Sequence, residues 1–134
     1  MLPMILGMNA QLDLIGIVVE DMGRSLAFYR ELGLDFPEEG SEHVEATLPG
    51  GLRVALDAQE TIRSFDPDWQ PATGGPQIGL AFRVDTPADV DAAYERLVSL
   101  GYDGHKPPWD AAWGMRYALI RDPDGNSVDL FCPL

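Results

Sequence analysis

The sequence predicts an α+β fold in which 134 residues form two β-α-β-β-β modules. Leu12–Val19 and Ile78–Val84 each read as an apolar strand leading into an amphipathic helix. Shifted by 65 residues they superimpose, matching Val19 with Val84, Ala27 with Ala92, Tyr29 with Tyr94 and Leu32 with Leu97. After each helix come short β-type runs split by turn residues. A repeated order of elements with aligned identities points to an internal duplication.

In the first module Asp21 is placed to cap a helix whose stripe Met22, Leu26, Tyr29 and Leu32 ends at Gly33. VEATL and LRVALD then flank the turn Pro49-Gly50-Gly51. Residues 58–76, rich in Pro, Gly, Asp and Thr, read as an irregular linker carrying Trp69. Module 1 thus spans about 10–57 and module 2 about 77–134. In module 2, Thr86, Pro87 and Asp89 make a capping-box start, and Val90, Ala93, Tyr94, Leu97 and Leu100 form a helical stripe stopped by Gly101. HKPPWDAAWGMRY is expected to be a loop bearing Trp109 and Trp113, followed by MRYALI, the turn DPDG and the strand NSVDLF.

Strand parity separates two faces. One parity is large and apolar and belongs against the helices: Ile15, Ile17, Val19, Val54, Leu56, Ile78, Leu80, Phe82, Val84, Val128 and Leu130. The other holds Leu12, Leu14, Gly16, Val18, Arg53, Ala55, Asp57, Gln77, Gly79, Ala81, Arg83, Ser127, Asp129 and Phe131. Its small central residues predict a concave face walled by polar groups, the usual form of a small-molecule site.

With 22 acidic against 9 basic residues the formal charge is -13, which disfavours nucleic acid and anionic lipid as partners. The single cysteine, Cys132, excludes an internal disulfide and suggests a reducing, cytoplasmic setting in which it is a small core residue. MLPMILGMNAQ is apolar but lacks the positive start of a signal peptide and is too short to span a membrane. The glycines of PATGGPQIG precede a strand instead of opening a helix, so no phosphate loop or nicotinamide fingerprint is present.

LIGIVVEDMGRSLAFYRELGL, IGLAFRVD and RDPDGNSVDLF together resemble the vicinal oxygen chelate superfamily, which includes glyoxalase I, fosfomycin-resistance transferases, extradiol dioxygenases and bleomycin-resistance proteins. The resemblance implies paired βαβββ modules whose eight strands form a cup around the site, often in a homodimer. In metal-using members the cup holds a divalent ion. The positions of its usual histidines fall on Leu14 and Gly79, and those of its usual glutamates on Ala55 and Asp129. Leucine, glycine and alanine offer no side-chain donor, and the only histidines, His43 and His105, lie elsewhere, so neither metal nor cofactor is expected.

The branch without the metal site resembles the bleomycin-resistance proteins, which sequester a bulky cationic drug in an aromatic groove. That resemblance points to Trp69, Trp109, Trp113 and Phe131 as ligand contacts beside Leu14, Ala55 and Gly79. Arg53, Arg83 and Arg116 are expected to pair with Asp57 and Asp129 or to bind a ligand carboxylate. The leading expectation is a cytoplasmic, homodimeric, metal-independent binder of a cationic or aromatic small molecule. The alternative is a lyase, isomerase or dioxygenase-like enzyme acting on a small oxygenated substrate, with Asp129 as base. A third reading is a module that only mediates association, its cup filled by its own side chains.

Overall fold

A computed structural model describes residues 10–134. The apolar start of MLPMILGMNAQ, residues 1–9, lies outside the described residues. The first module contains β1 (Leu14–Val19), α1 (Met22–Glu31), β2 (His43–Thr47) and β3 (Arg53–Ala58). After α2 (Gln59–Phe65), the second contains β4 (Gly79–Arg83), α3 (Pro87–Ser99), β5 (Asp103–Ala111), β6 (Met115–Arg121) and β7 (Ser127–Pro133). The strands form a three-stranded sheet ordered β1-β3-β2 and a four-stranded sheet ordered β4-β7-β6-β5.

The duplication is visible in the pairing. In each module the first strand runs parallel to the last, with Leu14 opposite Arg53 and Gly79 opposite Ser127. One pleat further along, Gly16 faces Ala55 as Ala81 faces Asp129. Glu31 and Arg96, themselves 65 residues apart, join α1 to α3 through an ion pair at 2.8 Å. Equivalent positions that bond each other are what helices meeting about a local two-fold would give.

The expected helix signals act as anticipated. Asp21 accepts from the Arg24 amide at 3.1 Å, and Thr86 and Asp89 exchange side-chain-to-backbone bonds as a capping box. Gly33 and Gly101 close the two helices at φ 89° and 96°, a conformation glycine adopts without strain.

Three local expectations are corrected. The linker contains α2, a two-turn helix with no buried residue and no side-chain cap. HKPPWDAAWGMRY is mostly strand: β5 tolerates Pro107 and Pro108 because it is the sheet's edge and its register shifts on either side of Lys106. Ile78, assigned to the helix-facing parity, precedes β4 and is 78% exposed. Seven strands are present among the described residues, since the first-module counterpart of β5, residues 32–42, is turn and irregular chain containing Gly33, Pro37 and Gly40.

Both modules share one core, in which Ile17, Val19, Leu26, Phe28 and Leu56 meet Val90, Leu97, Ile120, Val128, Leu130 and Cys132. The turn DPDGN fastens the second module to the first. Asp122 is buried, taking the amides of Asp124 and Asn126 at 2.9 and 2.8 Å and the Tyr29 hydroxyl at 2.6 Å. Asp124 accepts from the Glu20 amide at 2.9 Å and from Ser25 Oγ at 3.3 Å. No helix among the described residues is long and apolar enough to cross a membrane.

Candidate functional site

Residues directly opposite on paired strands point to the same side of a sheet. In the four-stranded sheet Arg83 lies opposite Phe131, Phe131 opposite Tyr117, and Tyr117 opposite Trp109. These four form one row across every strand, on the face turned away from the helices. The next row is Ala81, Asp129, Leu119 and Lys106.

The aromatic members are in mutual contact. Tyr117 stacks on Phe131 with centroids 6.1 Å apart and planes at 29°. Trp109 and Trp113 meet Tyr117 edge-on at 5.5 and 5.4 Å and each other at 6.1 Å. Such pairs contribute about 0.5–1.5 kcal/mol beyond simple area burial. Trp113 is carried by the turn between β5 and β6, where Gly114 takes φ 82°, and it remains 60% exposed.

Asp129 stands beside this surface. Tyr117 Oη donates to its Oδ2 at 2.6 Å and Ser127 Oγ to its Oδ1 at 3.3 Å. Burial, followed by the hydrogen bond and charge of Asp129, pushes the Tyr117 phenol up to about 12. At neutral pH Tyr117 is therefore the donor and Asp129 the acceptor. The arrangement presents an oriented carboxylate, able to accept a hydrogen bond or a proton, at the border of an aromatic platform.

The same face of the first module has a different character. Asp13, Arg53, Glu45, His43 and Asp57 form one continuous chain: Arg53 holds Asp13 at 2.6 Å and Glu45 at 2.8 Å, and His43 Nε2 meets Glu45 at 2.6 Å while Nδ1 meets Asp57. The bonds to Glu45 and then Asp57 raise the His43 pKa, as expected for a ring offering both nitrogens as donors. Ala55, bordered by Arg53, Asp57 and Glu45, is fully buried. It therefore lines no open surface, and the expected hollow at this position is closed.

The metal positions fail on donor chemistry. Leu14, Gly79 and Ala55 supply no ligand atom, and Asp129, their one carboxylate, is engaged by Tyr117 and Ser127. Among the described residues no cluster of three or more His, Cys, Asp or Glu side chains is arranged to hold an ion. His43 is committed to the charge chain, and His105 lies exposed on the edge strand β5.

The remaining predicted residues separate. Arg83 and Phe131 lie in the aromatic row, and Trp109 and Trp113 complete it. Arg116 belongs to the opposite face, where it grips Asp91 of α3 through two bonds at 2.9 and 3.0 Å and Asp110 at 3.1 Å. Trp69 lies apart, its ring under Arg63 at 5.1 Å, and lines a cavity of about 380 Å³ at the seam between the edge strands β1 and β4. Tyr29, Asp124, Asn126 and Ser127 also border that cavity, which shares Ser127 with the Asp129 site. Leu14 is half-buried, and Gly79 is exposed beside Ser127. Sequence reasoning missed Tyr117 and Lys106. The alternation of MRYALI held the signal for Tyr117; the register shifts in β5 concealed Lys106.

Comparison with known proteins agrees with the geometry. Uncharacterized protein YraH of Bacillus subtilis (strain 168) is 28% identical over 123 residues, 87% of this chain and 94% of that protein. A glyoxalase/bleomycin resistance protein/dioxygenase from Nocardioides superposes with a TM-score of 0.75 at 25% identity, covering 98% of this chain and 88% of its own. A glyoxalase/bleomycin resistance protein/dioxygenase family enzyme from Burkholderia phytofirmans PsJN gives 0.80 at 23% identity, over 93% and 100%. The family model for this group matches residues 11–130, and the chain belongs to the Glyoxalase/Bleomycin resistance protein/Dioxygenase superfamily.

Proposed function

We propose that this protein binds a planar small molecule on the row Phe131–Tyr117–Trp109, without a resident divalent metal. The supporting observation is the continuous aromatic surface with Asp129 held at its border by Tyr117. Stacking provides affinity on such a surface and the oriented carboxylate provides direction. In this reading the protein sequesters its ligand in the cytoplasm, as a homodimer belonging to the metal-free, bleomycin-resistance-like branch.

Two measurements test the reading together. Elemental analysis of dialysed protein is expected to find no stoichiometric transition metal, and a full equivalent surviving dialysis would overturn metal independence. A thermal-shift screen of planar compounds is expected to yield a ligand whose effect is lost in Trp113→Ala and Phe131→Ala. Ligands that raise the midpoint equally in wild type and both variants would remove the aromatic row from the function.

The Tyr117–Asp129 bond favours one second reading, proton transfer by Asp129 on a bound carbon acid. Asp129→Asn would then abolish turnover with little loss of ligand affinity, and unchanged turnover would exclude it.

A further inference from the structure

The aromatic row is closed at one end by a cation, and the nature of that end identifies a ligand class. Arg83 is exposed and makes no ion pair or side-chain hydrogen bond among the described residues. Arg53 and Arg116, by contrast, are each paired with two carboxylates. The face as a whole follows the same sign. Arg83, Lys106 and Arg121 stand on it against Asp103 and Asp129, a local excess of positive charge on a chain of formal charge -13.

The Trp109 ring gives independent evidence against a cationic occupant. Lys106 Nζ already lies 3.8 Å from its centroid, in the position a ligand ammonium would take for a cation–π contact. A cation on Trp109 would have to displace that lysine, and one anywhere along the row would have to tolerate Arg83. An anionic one meets a guanidinium with its donors open.

Resting on the aromatic-row reading, we infer that the ligand is a planar aromatic acid, with its ring over Phe131 and Tyr117 and its carboxylate on Arg83. Neighbouring strands lie about 4.8 Å apart, so a ring seated on β6 and β7 presents a substituent one strand spacing away, above β4. A guanidinium holds a carboxylate there through two parallel bonds. Asp129, already satisfied in part by Tyr117 and Ser127, has acceptor capacity left for a hydroxyl or amino group on the same ring.

Calorimetry with the full chain and three matched probes, 2-naphthoate, 2-naphthamide and 2-naphthylmethylammonium, tests this. The carboxylate is expected to bind about tenfold more tightly than the amide, the gain of one charge-assisted pair, and more tightly still than the ammonium. Arg83→Gln is expected to abolish that preference, and Arg83→Lys to restore only part of it. If the amide or ammonium binds as well as the carboxylate, or if Arg83→Gln keeps the preference, the acid assignment fails and the aromatic row stands. If none of the probes binds, or if their binding ignores Trp113→Ala and Phe131→Ala, the row itself fails and the assignment with it.

Discussion

Tyr117 and Asp129 project from adjacent antiparallel strands, and a hydrogen bond of 2.6 Å joins them. Tyr117 thereby both builds the platform and orients the carboxylate at its edge. Its ring packs against Trp109, Trp113 and Phe131, while its hydroxyl fixes Asp129.

Tyr117→Phe separates those roles. The ring contacts remain and the shorter bond to Asp129 is lost, so stability is expected to fall by about 1 kcal/mol in urea unfolding. The titration carries a sign as well. The folded phenol ionises near 12, above its ordinary value of 10.0, so its contribution is present below pH 10 and is lost as pH rises through 12. The absorbance of ionised tyrosine should therefore show a component titrating at about 12 in the wild type that is absent from Tyr117→Phe.

His43 supplies the corresponding test near neutrality. Its folded pKa is raised above 6.5 by Glu45 and Asp57, so the stabilisation is complete below the unfolded value and fades as pH climbs through the folded one. Thermal midpoints of wild type should decline from pH 6.5 upward relative to His43→Gln. The effect should be small because the imidazole is 43% exposed. Two-dimensional NMR of the ring protons should place the His43 midpoint above the ordinary value of 6.5.

Gly104 is a packing requirement of β5. A methyl group there would lie 2.7 Å from Val98 Cγ2 and closer still to the Tyr94 hydroxyl, both on α3. Gly104→Ala is expected to cost about 1–3 kcal/mol through forced separation of helix and strand, visible as a lower urea midpoint.

Arg116→Met is the control for ligand binding. It removes the clamp between β6 and α3 on the face opposite the aromatic row. A modest loss of stability is expected, as for other solvent-screened pairs, with probe affinity unchanged. A loss of affinity comparable to that of Phe131→Ala would place Arg116 in the site after all.

Tyr29→Phe tests the junction between modules. Asp122 would keep the Asp124 and Asn126 amides and lose the buried hydroxyl, for an expected loss of about 1–3 kcal/mol in urea unfolding. Asp122→Ala should be more severe, since it leaves all of these donors without their acceptor.

Local rules made much of this molecule readable. Asp21 and the Thr86–Asp89 box gave the helix starts, Gly33 and Gly101 the stops, and strand parity the division between the buried face and the one bearing Asp129. Tertiary context decided the rest. β5 contains two prolines, which argue for a loop until the strand is known to be an edge with shifted register. α2 buries nothing, so no apolar stripe announces it. Arg116 could be assigned to a face only once β6 was in register with β7, and Ala55 appeared open because the ion pairs bordering it join residues from three separated segments.

The contacts of the DPDGN turn with α1 and with Glu20 just ahead of it span 93, 99 and 104 residues. A polypeptide emerges from the ribosome N-terminus first, and contacts of large sequence separation are slow to form. Throughout most of translation the Tyr29 hydroxyl, Ser25 and the Glu20 amide await partners not yet synthesised. The final hairpin is thus the step at which the nascent first module gains its buried acceptor Asp122 and, beside it, the carboxylate of Asp124.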